Sequence, residues 1–357
     1  MTTFRRVTMQ DIAAMAGVHQ TTVSLALRNR PVLPEATRER IREIARQLGY
    51  RPDPVLGALR AHRRTAPVQD ISGATGSVVA ARRGFSIAFL TAAATADQWK
   101  RAPGYVRSRQ GIDQRAAETG YHVEEFWFDR EHMTPRRATQ ILRARNVSGI
   151  VVVPLPTPAP LDLDWRHFAC VSLTFSLLDA SMHTVCNHHW ETIRLACGRL
   201  QALGYRRIGL ALNENSNNRV RSIWSGGVLE HNSRQPARQR VPPWMPASPL
   251  PREGFVAWLR QHRPDVILTI PPHLASVRPW LQAEGLRVPA DIGVATLDCM
   301  APDDEVSGVY QEPEVIGRTA VDILAGLIQR NDLGLPGHPQ ATFIRGSWVD
   351  GKTTRPQ

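Results

Sequence analysis

Short polar side chains near the N-terminus have the types and spacing that could read a nucleic acid. Gln20, Thr21 and Thr22 follow one another, and together with Leu25 they fall on the outer face of a predicted short helix. Amide and hydroxyl groups can hydrogen-bond to base edges and phosphates, whereas Leu25 can make only an apolar contact, for example with a thymine methyl group. These residue types predict contact with DNA if a helix-turn-helix presents them.

Segment 8–27 has the pattern of two short helices joined by a tight turn. Thr8 can cap the first helix, and Gly17 can end it in a left-handed conformation. The predicted apolar positions are Met9, Ile12, Ala13 and Ala16 in the first helix and Val23, Ala26 and Leu27 in the second. The small residue at 13, the glycine at 17 and the apolar residue at 23 have helix-turn-helix spacing. For these residues alone, an ordinary helical hairpin is the alternative.

Helical patterns continue to about residue 62. A third helix is predicted over 35–48, with Pro34 before it and Gly49 after it. Residues 53–62 predict a short hinge helix that is marginal alone in water and would fold on DNA. The predicted domains are a helix-turn-helix head over 1–52, this hinge helix, and a flexible linker over 63–84.

The distribution of charge favours a polyanionic partner. The 357 residues carry a formal net charge of +12, and residues 1–66 hold twelve arginines against five acidic residues. The four cysteines show no paired spacing, which predicts buried thiols in a reducing compartment. Neither a secretory signal nor a membrane-spanning run is recognisable, so a cytoplasmic protein without a membrane partner is expected.

From residue 85 onward the chain alternates strand and helix patterns. Strands are predicted at 85–91, 121–128, 149–155, 168–175, 206–212, 265–270 and 292–298, and helices at 104–120, 135–145 and 189–203. Such alternation predicts parallel sheets flanked by helices, in two similar halves. The expected fold class is α/β, with an all-α helix-turn-helix head and hinge helix followed by a two-lobed core over 85–352.

Residues 6–60 closely resemble the head and hinge of the lactose-repressor (LacI/GalR) family. The resemblance rests on V-T-x-x-D-I-A at 7–13, A-G-V at 16–18, T-V-S at 22–24, T-R at 37–38 and G-Y-x-P at 49–52. Segments 204–209 and 284–294 extend it, less specifically, into the core. It implies a core like that of periplasmic sugar-binding proteins, with lobe 1 at about 85–204 plus 301–330 and lobe 2 at about 205–300 plus 340–352.

The resemblance implies a set of DNA contacts. They are Gln20, Thr21 and Leu25 with bases, Thr8, Thr22 and Ser24 with phosphates, and Arg28 and Tyr50 elsewhere in the interface. Leu59 falls on the position of a leucine that wedges between central base pairs in the minor groove, where unstacking is repaid by a bent duplex with more contact.

The resemblance also implies an effector site between the lobes, at the C-terminal ends of the strands. The implied effector-binding residues are Trp99, Asn187, Arg221 and Asp298. Arg221 and Asp298 could instead form a structural ion pair, Asn187 could cap a helix, and Trp99 could be a dimer contact. The expected effector is a small molecule, either a carbohydrate or a derivative of one. Because Pro271 and Pro272 replace the Asn-Asp of typical sugar-sensing members, a typical free sugar is not expected.

The resemblance implies a homodimeric, effector-responsive transcriptional regulator, predicted to be a repressor, that binds a pseudo-palindromic duplex operator without a cofactor. A transport-type binding protein is one alternative, and the basic head opposes it. A DNA-acting enzyme is another, although no phosphate-loop, serine-hydrolase or zinc-protease motif occurs. A cluster that could suggest a metal has spacing unlike that of a zinc site, and it consists of His183, Cys186, His188, His189 and Glu191.

Overall fold

The computed structural model describes residues 8–27, 33–48, 50, 86–178 and 180–355. The head helices belong to one compact unit of the chain, and both large sheets belong to another. Several predictions lie outside these described residues, namely those for Arg28, Gly49, Leu59, the hinge helix at 53–62 and the linker at 63–84.

Three short helices form the described part of the head. They are α1 (Met9–Ala16), α2 (Gln20–Leu27) and α3 (Glu35–Gln47). Thr8 caps α1 through a reciprocal capping box with Asp11, and Gly17 ends the helix with a φ of 63°. The buried side chains of the head are Ile12, Ala13, Ala16, Val23, Ala26, Ile41 and Ala45. Each helix contributes its predicted apolar face to this small core, so the predicted arrangement of three helices is confirmed.

The rest of the described chain alternates helices and strands, as predicted. The helices are α4 (Pro103–Thr119), α5 (Pro135–Ala144), α6 (His189–Ala202), α7 (Glu214–Arg219), α8 (Ile223–Ser233), α9 (Arg252–His262), α10 (Pro271–Ala283) and α11 (Pro313–Arg330). Short 3₁₀ helices occur at Gln98–Arg101, Trp165–His167 and Ala237–Gln239. No helix in the described part of the chain combines the length and apolar character needed to cross a bilayer.

The strands form two large sheets and one small ribbon. The strands are β1 (Ser86–Thr91), β2 (His122–Trp127), β3 (Val147–Val152), β4 (Ala159–Pro160), β5 (Ala169–Ser172), β6 (Leu177–Leu178), β7 (His183–Asn187), β8 (Ile208–Leu210), β9 (Val266–Thr269), β10 (Gly293–Thr296), β11 (Gly308–Tyr310), β12 (Ala341–Ile344) and β13 (Ser347–Val349). The first sheet has the order β12-β7-β5-β3-β1-β2 and is parallel throughout. The second has the order β13-β11-β10-β9-β8 and is parallel except for β13. Strands β4 and β6 form the ribbon.

The second sheet is buried on both faces, which explains why its strands are continuously apolar. Leu268 of β9 packs in one cluster with residues of α6 and α8, whereas the adjacent Ile267 packs with residues of α9 and α10. Successive side chains of a strand point to opposite faces, so helices must cover both sides of this sheet. All four cysteines are buried, as predicted.

The expected division of the chain between the lobes needs correction at three segments. Helix α6, expected in lobe 1, packs with the core of the second sheet. Strand β11, also expected in lobe 1, pairs with β10 in the second sheet, and β12, expected in lobe 2, pairs with β7 in the first. The chain therefore passes between the lobes three times, after β7, after β11 and after β12.

Candidate functional site

The outer face of α2 carries the side chains predicted to contact DNA. Gln20 and Thr21 are exposed, Thr22, Ser24 and Leu25 are half-buried, and Val23 and Ala26 are fully buried. The alternation anchors the helix by its apolar side and leaves its first turn open to a partner. A major groove admits an α-helix whose N-terminal residues reach base edges, and this first turn has that composition.

The start of α2 is ordered by His19, a residue that the sequence analysis did not single out. Its Nδ1 accepts a hydrogen bond from the Thr21 backbone N–H at 3.4 Å and lies 2.8 Å from the Thr21 hydroxyl. The helix start is otherwise without a side-chain cap of the usual Ser, Thr, Asp or Asn type. The sequence signal that could have identified this cap was a histidine immediately before a predicted helix.

Two of the other predicted DNA-contact residues also have structural roles. Thr8 is exposed, and its hydroxyl hydrogen-bonds to Asp11 at 2.7 Å. Tyr50 is half-buried against the head core, and its backbone N–H donates to the Ala45 carbonyl at 2.9 Å. Arg40 donates from α3 to the Ala16 carbonyl at 3.1 Å, which satisfies a free carbonyl at the end of α1.

A cleft of about 490 Å³ lies between the two sheets of the core. Its lining includes residues at or just after the C-terminal ends of strands in both sheets, such as Pro154, Asn187, Ile270 and Asp298. This is where parallel α/β sheets place their ligands, and the volume lies in the range of small-molecule sites.

Asp298 lines the cleft just beyond β10, as the resemblance implied. Withdrawal from water raises the pKa of its carboxyl group to about 6, against the opposing pull of the positive charge on Arg219. Arg219, at the end of α7, also lines the cleft and donates to the Tyr105 hydroxyl. Near neutral pH the carboxylate is therefore held only weakly in its charged form.

We predict that Asp298→Asn stabilises the ligand-free protein at pH 7 by up to about 3 kcal/mol, the equivalent of the rise in pKa from 3.8 to about 6. A raised folded-state pKa means that the native state binds more protons, so the ionisation of Asp298 lowers the free energy of unfolding as the pH rises from about 4 to about 6. The lowered pKa of a buried histidine such as His189 acts in the opposite direction over this range, so the quantity to measure is the difference between variant and wild type. In urea unfolding, the gain in stability of Asp298→Asn over the wild type should grow from pH 4 to pH 6, whereas the control Asp303→Asn, at an exposed carboxylate, should keep the wild-type profile. A difference for Asp298→Asn that does not change with pH would contradict the assignment.

Asn187 lines the cleft, but its amide group is already engaged. Its Nδ2 donates to the Ile344 carbonyl at 3.2 Å, and its Oδ1 accepts from the Thr192 hydroxyl at 2.6 Å. The side chain thereby ties the end of β7 to β12 and to the first turn of α6. Its neighbour His188 is the residue that caps α6, by accepting from the Glu191 backbone N–H at 3.4 Å.

Two predicted effector residues lie elsewhere. Trp99 is only 8% exposed and packs edge-on against Phe89 with ring centroids 4.9 Å apart, so it belongs to the core of the first lobe rather than to the cleft lining. Arg221 lies in the turn between α7 and α8, with its guanidinium 4.8 Å from the centroid of the Phe175 ring, and it is not among the lining residues. In this part of the chain Arg219, two residues earlier, is the arginine that lines the cleft.

Two aromatic side chains that the sequence analysis did not assign to the cleft also line it. The rings of His189 and Trp224 meet edge-on with centroids 5.3 Å apart. Burial, reinforced by the nearby His188 and the positive charge of Arg219, lowers the pKa of His189 to about 4, so this imidazole is neutral at pH 7. The sequence signal that could have placed Trp224 in the cleft was its position near the start of a helix that follows the first strand of the second lobe.

The cluster weighed as a metal site has other roles. His183 accepts a hydrogen bond from the Gln340 backbone N–H at 3.2 Å, and His188 and His189 act as described above. Within the described ranges, no group of three or more His, Cys, Asp or Glu side chains has an arrangement suited to a metal ion.

Comparison with known families matches both parts of the chain. Residues 8–53 match the model for bacterial regulatory proteins of the lacI family, and residues 197–354 match a periplasmic binding protein-like domain. The transcriptional regulator PtxS of Pseudomonas putida (strain KT2440) is 27% identical over an alignment 367 positions long, which spans 99% of this chain and 98% of PtxS. The lactose operon repressor of Escherichia coli (strain K12) is 26% identical over 343 residues, which span 90% of this chain and 85% of the repressor.

Solved structures share the fold. The lac repressor dimer bound to operator and the anti-inducer ONPF has a TM-score of 0.55 at 20% identity and covers 98% of this chain and 99% of its own. The complex of the regulator CelR with cellobiose has a TM-score of 0.54 at 18% identity and covers 98% of this chain and 100% of its own.

A helix-turn-helix head joined to a two-lobed core with a ligand-sized cleft defines a DNA-binding transcriptional regulator with an effector-binding domain. The chain belongs to the LacI family of these bacterial regulators.

Proposed function

We propose that this regulator is a homodimeric repressor whose affinity for a pseudo-palindromic operator changes when a small effector binds between the lobes. The observation that supports this proposal most directly is the cleft. Residues of both sheets line it, so a bound ligand would bias the relative position of the lobes. An effector shifts DNA affinity only if it binds one state better than the other, and a coupling of about 1–3 kcal/mol suffices.

Several observations support the proposal. The structure of the lac repressor dimer on its operator provides a precedent for a dimeric assembly with this fold. The relatives are transcriptional regulators, so we infer that the chain acts by binding and has no catalytic step. A protein that acts on operator DNA works where the chromosome lies, which for a bacterial regulator is the cytoplasm. The match at residues 8–53 favours this function over transport.

Selection of bound sequences from a random duplex library by the purified protein tests the proposal, at about 50 and about 200 mM salt. We expect a palindromic consensus that survives the higher salt, because two heads would read two half-sites. Binding without a consensus, lost on adding salt, would mean that the head is only an electrostatic arm. The selected operator can then be used to screen for metabolites that change the affinity of the protein for it.

A further inference from the structure

Three buried polar atoms at the cleft have no hydrogen-bond partner among the described residues. Two are donors, Nε of Arg219 and Nε1 of Trp224, and the third is Nδ1 of His189, which donates or accepts according to the imidazole tautomer. A buried donor left without an acceptor is destabilising by about 1–3 kcal/mol, so such groups call for a physical explanation. An acceptor on a bound ligand provides one.

The chemistry of these groups restricts the ligand. A guanidinium and an indole N–H can only donate hydrogen bonds, so the group opposite them must accept. His189 lies against the Trp224 ring, and the charge of Arg219 acts on both His189 and Asp298. The donors therefore belong to one neighbourhood of the cleft rather than to separate regions.

The charge of the cleft favours an anion. The charged side chains in its lining are Arg101, Arg219 and Asp298, and the carboxyl group of Asp298 takes up a proton at about pH 6. The positive ends of three helix dipoles also point to this region, since α4, α10 and α11 begin at lining residues.

The same helix ends argue for a carboxylate rather than a phosphate. Helices α4, α10 and α11 begin with Pro103, Pro271 and Pro313, and α10 has a second proline at Pro272. A proline has no backbone N–H, so α4 and α11 each have one fewer, and α10 two fewer, of the backbone donors that commonly hold phosphate groups at a helix start. Two side-chain donors, one of them charged, match the two oxygens of a carboxylate.

We propose that the effector is a hexose-sized molecule that carries a carboxylate, and that Arg219 and Trp224 bind this carboxylate. The inference rests on the proposed function, in which the cleft is the effector site. It also agrees with the prolines at 271 and 272, which leave that part of the lining without side chains able to bind sugar hydroxyls.

The test compares three matched probes that differ at one carbon, D-glucose, D-glucuronate and D-glucose 6-phosphate, together with D-gluconate and D-galacturonate. Calorimetric titration of the full-length protein measures their affinities without DNA. At least one acid is expected to bind about 10-fold or more tightly than both the neutral sugar and the phosphate. Trp224→Phe, which keeps an aromatic ring and removes the N–H, and Arg219→Gln should each weaken that acid about 10- to 100-fold.

Trp280→Phe, at a tryptophan outside the cleft lining, is the control and should leave the affinity unchanged. Tighter binding of the neutral sugar or of the phosphate, or no binding by any acid, would overturn the carboxylate assignment. Binding of an acid that neither cleft variant weakens would instead contradict the proposed function, because the effector would then bind outside the cleft.

Discussion

Replacement of Gln20 by alanine is expected to weaken binding to the selected operator by about 10- to 100-fold, since a good base contact contributes about 1–3 kcal/mol. Gln20 is exposed at the first turn of α2, next to the exposed Thr21, and the helix is anchored by Val23 and Ala26 on its other side. An exposed side chain of this kind affects stability by no more than about 0.5 kcal/mol. Fluorescence anisotropy with labelled operator, at one fixed salt concentration, measures the loss.

The pattern of the loss matters as much as its size. A base contact is specific, so Gln20→Ala should bind unrelated duplexes as the wild type does and keep the same dependence on salt. Gln47→Ala is the matched control, because Gln47 is also an exposed glutamine and lies at the end of α3. An unchanged operator affinity in Gln20→Ala, or equal weakening on all duplexes, would exclude Gln20 as a base-reading residue.

The helices and core of the head were predicted well because they depend on short-range features of the sequence. Gly17 adopts the left-handed turn that its position required, and Ile12, Val23 and Ile41 form the core that their spacing predicted. Helix boundaries agree within about one residue, since caps and apolar stripes are short-range features.

The cleft was harder to predict because neighbouring residues on a turn point in different directions. Arg219 and Arg221 are two residues apart, yet one ends α7 and lines the cleft while the other lies against Phe175 with a φ of 53°. Trp99 follows a strand end, where ligand-stacking residues are common, but contact with Phe89 draws its ring into the core. Such choices depend on packing between segments distant in sequence.

The lobe assignment failed for a related reason. Strands β11, β12 and β13 have three or four residues each, too few to show a clear alternation. Strand β12 pairs with β7, which lies far from it in sequence, and β13 pairs antiparallel with β11. The last two crossings between the lobes are therefore fixed by pairings that a local pattern does not reveal. This matters for function, because the crossings are the segments that must accommodate any movement of the lobes.

Gly317→Ala is expected to lower the free energy of unfolding of the core by about 3 kcal/mol, the upper part of the range for overpacked sites. A Cβ at Gly317 in α11 would overlap the backbone carbonyl oxygen of Ser108 in α4 and come within 3.0 Å of the Ile112 nitrogen. A Cβ at Gly111 of α4 would overlap the Glu314 carbonyl of α11 in the same way, so the two helices meet backbone to backbone. Since the obstructing atoms belong to the backbone, no rotamer change can relieve the overlap. Urea unfolding of the full-length variant measures the effect.

The helix crossing also bears on the cleft, because α4 and α11 begin there at Pro103 and Pro313. The overlap in Gly317→Ala should push these helices apart, so the variant should bind the effector more weakly as well as being less stable. Gly198→Ala is the matched control: Gly198 lies within α6, a Cβ there meets nothing within 4 Å, and the substitution should stabilise the protein by about 0.5–1 kcal/mol. If both variants gained stability alike, the close approach of α4 and α11 would not hold in solution. A loss of stability in Gly317→Ala together with a gain in Gly198→Ala would show that contact geometry, rather than helix propensity, decides the effect at Gly317.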